Sequence, residues 1–227
     1  MKSFEILSTN VLLLSTALAQ WTTVPFYEAS TGITYASFTL PNQVSYRIAL
    51  PEQSNSSDAI LQVFAPKTFG WCGLAWGGHM RNNPLSVNWA TSASTGPKGI
   101  TSSRMAFSYS STPSPNPNAT HTLLPLATTS NSTHWTVTSR CQGCTRYSSA
   151  DGDMIIDAGD STLFAYACSS TVPTTPNSNT SAFRIHQDTG IWTHDLKMAK
   201  SREYGVWLRR NGLETGGGNE TKVRIKW

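Results

Sequence analysis

Short alternating segments set the limits on what this chain can become. Ile33-Thr34-Tyr35-Ala36-Ser37-Phe38-Thr39-Leu40 alternates large apolar with small polar groups, and Val44-Ser45-Tyr46-Arg47-Ile48-Ala49-Leu50 repeats this after the turn signal Pro41-Asn42. A two-residue period places successive side chains on opposite faces of a half-buried strand. Further strands are expected at Ala59 to Ala65, Trp71 to Trp76, Val87 to Ala90, Arg104 to Tyr109, His134 to Cys141, Met154 to Asp157 and Thr162 to Cys168. Polar, proline-containing loops separate them, and only Leu196 to Lys200 has a turn of helical character. Many short strands punctuated by turn signals indicate an all-β antiparallel sandwich or barrel.

The N-terminus opens with Met1-Lys2, an apolar stretch including Val11-Leu12-Leu13-Leu14, and the Ala-x-Ala pattern of Ala17 and Ala19. This predicts a secretory signal peptide over residues 1–19 and a mature chain beginning at Gln20. Export agrees with sequons at Asn55, Asn118, Asn131, Asn179 and Asn219, each a surface glycosylation site if used. Charged residues make up 13% of the chain and the formal net charge is +4. That is too little charge for nucleic-acid binding, and no second apolar run is long enough to cross a membrane. The expectation is a secreted monomer with one domain over residues 20–204. Basic groups and Gly216-Gly217-Gly218 mark residues 205–227 as a linker-like or non-native tail.

The four cysteines, Cys72, Cys141, Cys144 and Cys168, permit three pairings. The Cys-x-x-Cys spacing lacks the second pair that a zinc site needs and the βαβ pattern of a redox motif. A local structural disulfide between Cys141 and Cys144 is the better reading in an exported chain, which leaves Cys72 to pair with Cys168.

Phe69-Gly70-Trp71-Cys72-Gly73-Leu74-Ala75-Trp76-Gly77-Gly78-His79-Met80 reads as a strand buried on both faces, broken by a glycine pair. Such a pair lets the backbone approach a ligand closely. Met80 then offers a soft thioether and His79 an imidazole; neighbours on an extended strand face opposite ways, so one of them reaches a shared site, and Met80 is the expected one. Most methionines simply fill core gaps. Among the other histidines, His121 and His134 read as solvated or structural and His194 as exposed, whereas His186 stands at a strand-to-turn junction. Met80 with His186 is the donor set of a haem iron whose axial positions are both filled by protein, chemistry suited to electron transfer rather than oxygen activation.

Four motifs occur in order: Gly73-x-x-x-Gly77-Gly78-x-Met80-Arg81-Asn82-Asn83, Asn131-Ser132-Thr133-His134-Trp135, Arg140-Cys141-Gln142-Gly143-Cys144-Thr145, and His186-x-Asp188-x-Gly190. Together they resemble the haem b cytochrome domain of fungal cellobiose dehydrogenase and its single-domain secreted relatives, over about Trp21 to Tyr204. The resemblance implies a two-sheet antiparallel β-sandwich with immunoglobulin-like topology, non-covalent haem b with Met80 and His186 as iron ligands, and a Cys141–Cys144 disulfide. Trp71, Trp76, Trp89 and Tyr166 are candidate pocket aromatics, each equally at home in a sandwich core. The implied function is relay of single electrons from a flavin dehydrogenase or small reductant to a copper polysaccharide monooxygenase, ferric iron or a quinone, in lignocellulose degradation. No Gly-x-Gly-x-x-Gly follows a strand, so no catalytic dehydrogenase is expected in the chain itself. The competing reading is a haem-free carbohydrate-binding sandwich presenting exposed tryptophans, which the eight in the sequence permit.

Overall fold

A computed structural model of the chain describes residues 22–53, 55–156 and 161–213. The expected signal peptide, the Asn219 sequon and the last part of the expected tail lie outside the described residues. In chain order the strands are β1 (Val24–Glu28), β2 (Ile33–Thr39), β3 (Ser45–Pro51), β4 (Asp58–Pro66), β5 (Trp71–Ala75), β6 (Pro84–Ala90), β7 (Gly99–Met105) and β8 (Ser114–Pro115). There follow β9 (Thr120–Leu123), β10 (Thr129–Ser130), β11 (His134–Gln142), β12 (Arg146–Ser149), β13 (Gly152–Ile155), β14 (Ser161–Ser169), β15 (Asp188–Asp195) and β16 (Lys200–Ser201), with one helix, α1 (Tyr204–Arg210).

One sheet has the order β1-β2-β3-β4-β11-β10, with β9 also on β11 and β16 on β3. The other has the order β15-β14-β5-β6-β7-β8, and β12 and β13 form a separate hairpin. Apart from β16 on β3, the strand pairings are antiparallel. The expected two-sheet sandwich is therefore the observed architecture.

The register shows why the alternation was so regular. Tyr46, Ile48, Leu61, Val63 and Val137 of the first sheet face Cys72, Leu74, Trp76, Phe164 and Trp192 of the second, forming the main core. Cross-strand pairs such as Tyr46 with Val63 and Ile48 with Leu61 keep that face continuous. The opposite face of the first sheet is also buried: Ile33, Tyr35, Ala49 and Ile60 pack beneath Tyr204, Trp207 and Leu208 of α1. The opposite face of the second sheet carries Trp71, Ala75, Leu85, Val87 and Trp89. Both expected disulfides are present, Cys72–Cys168 joining the adjacent strands β5 and β14, and Cys141–Cys144 closing the end of β11.

Three expectations need correction. Residue 205 does not begin a linker: α1 buries Trp207 and Leu208, and Asn211 Nδ2 closes its end on the carbonyl of Trp207 at 2.8 Å. Tyr204, Trp207 and Leu208 follow helical spacing, but one such set over seven residues is a weak signal beside a basic, glycine-rich stretch. The strand expected over Arg104 to Tyr109 ends at Met105, and Phe107 and Tyr109 stand exposed in a loop. His194 is buried at 0% exposure; the Trp192 indole donates to its Nδ1 (3.2 Å), and its Nε2 faces the Ala36 carbonyl (3.2 Å). On β15 it shares the inward face with Trp192, a parity that the turn expected after His186 obscures.

Burial pushes the His194 imidazole down to about 4, with the Ala36 carbonyl and Asp195 opposing. A histidine pKa depressed by folding means that the unfolded chain binds more protons below pH 6.5, so stability is full above 6.5 and falls as the pH drops towards 4. The expected loss from His194 is about 3 kcal/mol, with His121, pushed by burial to about 3, acting in the same sense. Urea unfolding at pH 7 and pH 4.5 checks this; equal stabilities at the two pH values would show that these rings accept protons in the folded state.

Candidate functional site

A cavity of about 520 Å³ lies on the outer face of the second sheet, outside the sandwich core. Its floor is built largely from small residues. Ala75 pairs across to Ala165 and Leu85, and Gly73 to Ala167 and Val87, so small side chains from β5 and β14 form the middle of the floor. Three irregular segments wall it: Gly78-His79-Met80, Tyr109 to Pro113, and Phe183 to His186. The volume falls within the range of about 300–1,000 Å³ typical of cofactor sites.

Met80 and His186, distant in sequence, both line this cavity. Met80 is half-buried and packs on the apolar cluster of Trp71, Leu85 and Val87. The turn carrying it is tied down by Asn83, whose Nδ2 lies 3.0 Å from the carbonyls of His79 and Arg81 and 3.0 Å from His79 Nδ1. The Tyr147 hydroxyl donates to Asn83 Oδ1 at 2.5 Å. Asn82, at φ +60°, adds a bond from its Nδ2 to Asp151 Oδ2 at 3.0 Å. His79 lines the same cavity, but it is exposed and its ring is engaged by Asn83.

The glycine pair works differently from the expectation. A Cβ on Gly77 would fall 1.8 Å from Asn83 Oδ1 and 2.7 Å from the Tyr147 hydroxyl, so this glycine makes room for the turn's own fastening. Gly78 adopts φ +79°, a left-handed conformation that L side chains resist. Gly77→Ala is expected to expel the Asn83 side chain, cost about 1–3 kcal/mol and disturb the Met80 environment. Thermal unfolding and the visible spectrum of the variant check this, and a wild-type result in both would refute it.

His186 sits in the irregular segment before β15 and is half-buried; among the described residues its ring has no hydrogen-bond partner. Asp188 anchors this segment. Its Oδ2 accepts from Asn42 Nδ2 at 2.6 Å and its Oδ1 from the Tyr166 hydroxyl at 3.0 Å. Burial, then the Asp188 carboxylate, pushes the Tyr166 phenol up to about 12, so it keeps its proton and donates. Gly190 leaves space for the same ring, since a Cβ there would lie 2.8 Å from Tyr166 Cε1.

The candidate aromatics separate. Trp71 lines the cavity, and among the described residues its buried indole N–H has no partner. Tyr166 borders the cavity with its ring turned to Tyr46 and Trp192. Trp76 lies between the sheets, bonded to Ser86 Oγ at 2.9 Å, and Trp89 holds the Pro176 carbonyl at 2.8 Å; neither lines the cavity. The sequence reading missed the floor. Gly73, Ala75, Ala165 and Ala167, small residues at two-residue spacing on adjacent strands, were its available signal.

The sequence pattern described as the cytochrome domain of cellobiose dehydrogenase matches residues 26–205. The chain belongs to the family of cellobiose dehydrogenase cytochrome domains. This cytochrome domain is 30% identical over 216 residues to a pyrroloquinoline quinone-dependent pyranose dehydrogenase of Coprinopsis cinerea, covering 92% of the chain but 29% of that protein. The crystal structure of the cytochrome b domain of that organism's pyranose dehydrogenase superposes with a TM-score of 0.73 at 28% identity, covering 87% of this chain and 100% of the other. The cytochrome domain of Myriococcum thermophilum cellobiose dehydrogenase shares the fold, with a TM-score of 0.73 at 24% identity over 84% of this chain and 97% of the other.

The residues present fit a haem. Among the described residues, the site joins a small-residue floor, an unengaged imidazole, a half-buried thioether and a buried indole N–H without a partner. Among the described residues, no helix is long and apolar enough to cross a membrane.

Proposed function

We propose that this cytochrome domain is a secreted, glycosylated, monomeric one-electron carrier holding haem b non-covalently between Met80 and His186. The observation that carries the reading is the convergence of these two side chains on one cavity. Bound there, haem b supplies an Fe(III)/Fe(II) couple. Met80 offers a soft donor that favours the reduced state, and His186 offers the anchoring imidazole. Trp71, Leu85 and Val87 exclude water from the floor, and Asn83 holds the methionine turn in place before binding, which limits reorganisation on electron transfer. No Cys-x-x-Cys-His is present, since Thr145 follows Cys144, so retention rests on these side chains.

The donor in this reading is a separate flavin- or quinone-dependent sugar dehydrogenase, and the acceptor a copper polysaccharide monooxygenase, ferric iron or a quinone. The covalent attachment of such a domain to a pyranose dehydrogenase in Coprinopsis cinerea supports the donor class. Spectra of the protein, oxidised and dithionite-reduced, test the proposal: sharp α and β bands on reduction are expected, and a protein colourless after haem addition would overturn it. Met80→Ala is expected to bind haem more weakly at a lower potential. An unchanged spectrum and potential would transfer the ligand role to His79 or another group. The haem-free carbohydrate-binding reading loses its platform among the described residues, because all six described tryptophans are buried.

A further inference from the structure

A guanidinium is buried beside the cavity, and among the described residues no anion pairs with it. Arg104, on β7, is 4% exposed, and burial pulls its pKa below the usual value. Its Nε donates to Ser102 Oγ at 2.7 Å. Its Nη1 donates to the Pro113 carbonyl at 3.3 Å, and its Nη2 to the carbonyls of Ser181 at 2.7 Å and Asn179 at 3.3 Å. Every partner is neutral, and among the described residues no carboxylate pairs with it. Desolvating an ion is expensive, and buried charges are ordinarily paired.

The position of this charge gives it work to do. Pro113 and Phe183 belong to two different walls of the cavity, and Arg104 reaches both. Its Cζ lies 5.3 Å from the centroid of Phe183, whose ring is 5.0 Å from that of Trp71 on the floor. Arg104 does not line the cavity itself, so it acts through these neighbours and through its field. In a low-dielectric setting a fixed cation favours the state with the extra electron.

We propose that Arg104 is a positioning residue that clamps two walls of the cavity and supplies the unbalanced positive charge that raises the reduction potential of the bound centre. The inference rests on the haem reading above.

Midpoint potentials of the haem-loaded full chain test it, in wild type, Arg104→Gln and Arg104→Lys, with spectra recorded alongside. Arg104→Gln is expected to keep the low-spin spectrum while shifting the equilibrium with a fixed reference couple about tenfold towards the oxidised form, ~59 mV for one electron. Arg104→Lys keeps the charge and is expected to stay near wild type. Ser102→Asp sets a carboxylate beside the guanidinium while giving up the bond that Ser102 Oγ donates to the Asn179 carbonyl, and it is expected to shift the potential in the same direction, a second reading where Arg104→Gln fails to fold. In haem-free protein, amide exchange at Ser181 and Phe183 is expected to quicken in Arg104→Gln, a readout of the clamp alone. A wild-type potential in both Arg104→Gln and Ser102→Asp would overturn the proposal, as would equal shifts in Arg104→Lys and Arg104→Gln. A wild-type protein with no haem band sinks the cytochrome reading itself, whereas an intact band with an unmoved potential sinks only the role of Arg104.

Discussion

His186→Ala is expected to yield a folded protein that retains no haem. The ring makes no hydrogen bond among the described residues, and its segment is irregular backbone on the outer side of the second sheet. Truncation there removes little packing, so the stability of the haem-free fold should change by about 0.5 kcal/mol or less. On the proposed function it also removes the nitrogen donor to the iron. Absorbance of the purified variant after haem addition, set beside thermal unfolding of both haem-free proteins, separates ligation from folding. A variant with the wild-type spectrum would eliminate His186 as a ligand. A variant that fails to fold would show that the segment has a packing role its exposure does not suggest.

The second large effect is on stability. Cys72 and Cys168 are fully buried on adjacent strands, their Cα atoms 4.2 Å apart and their positions separated by 96 residues. Loop-closure entropy assigns a bridge over a loop of that size about 4–5 kcal/mol. Cys141–Cys144, separated by 3 residues, closes a loop worth only about 2 kcal/mol on the same account. Replacing Cys72 and Cys168 together by alanine is therefore expected to lower the denaturant midpoint at least twice as far as replacing the other pair. Equal losses would show that local strain relief or packing, not chain closure, sets the contribution of each bridge.

The sequence carried the sandwich because alternation in segments such as Val44 to Leu50 and Ala59 to Ala65 reports a buried face directly, whatever that face packs against. It carried the strand at Trp71 for a subtler reason. That strand is apolar on both faces because one meets the core and the other the cavity. Position along the chain was harder to read than pattern. His194 and the turn-like Asp188-Thr189-Gly190 were misplaced because the start of β15 depends on Asp188 being held by Asn42 and Tyr166, partners remote in sequence. Trp76 and Trp89 were candidates by type alone, and parity decides the first: Trp76 is one residue out of step with Ala75 and so faces the core. Arg104 carried no signal at all, since its partners are mostly backbone carbonyls.

The cavity stands on the back of a sheet whose front already belongs to a complete core. Many proteins assemble their interior around a prosthetic group and collapse without it; here the cavity lies apart from the main core, so the scaffold does not depend on what fills it. On the proposed function, folding and disulfide formation can finish first, and loading can follow as an independent event at the surface. The redox activity of such a domain then depends on supply as much as on synthesis, and a pool of empty, stable protein can be charged whenever the group becomes available.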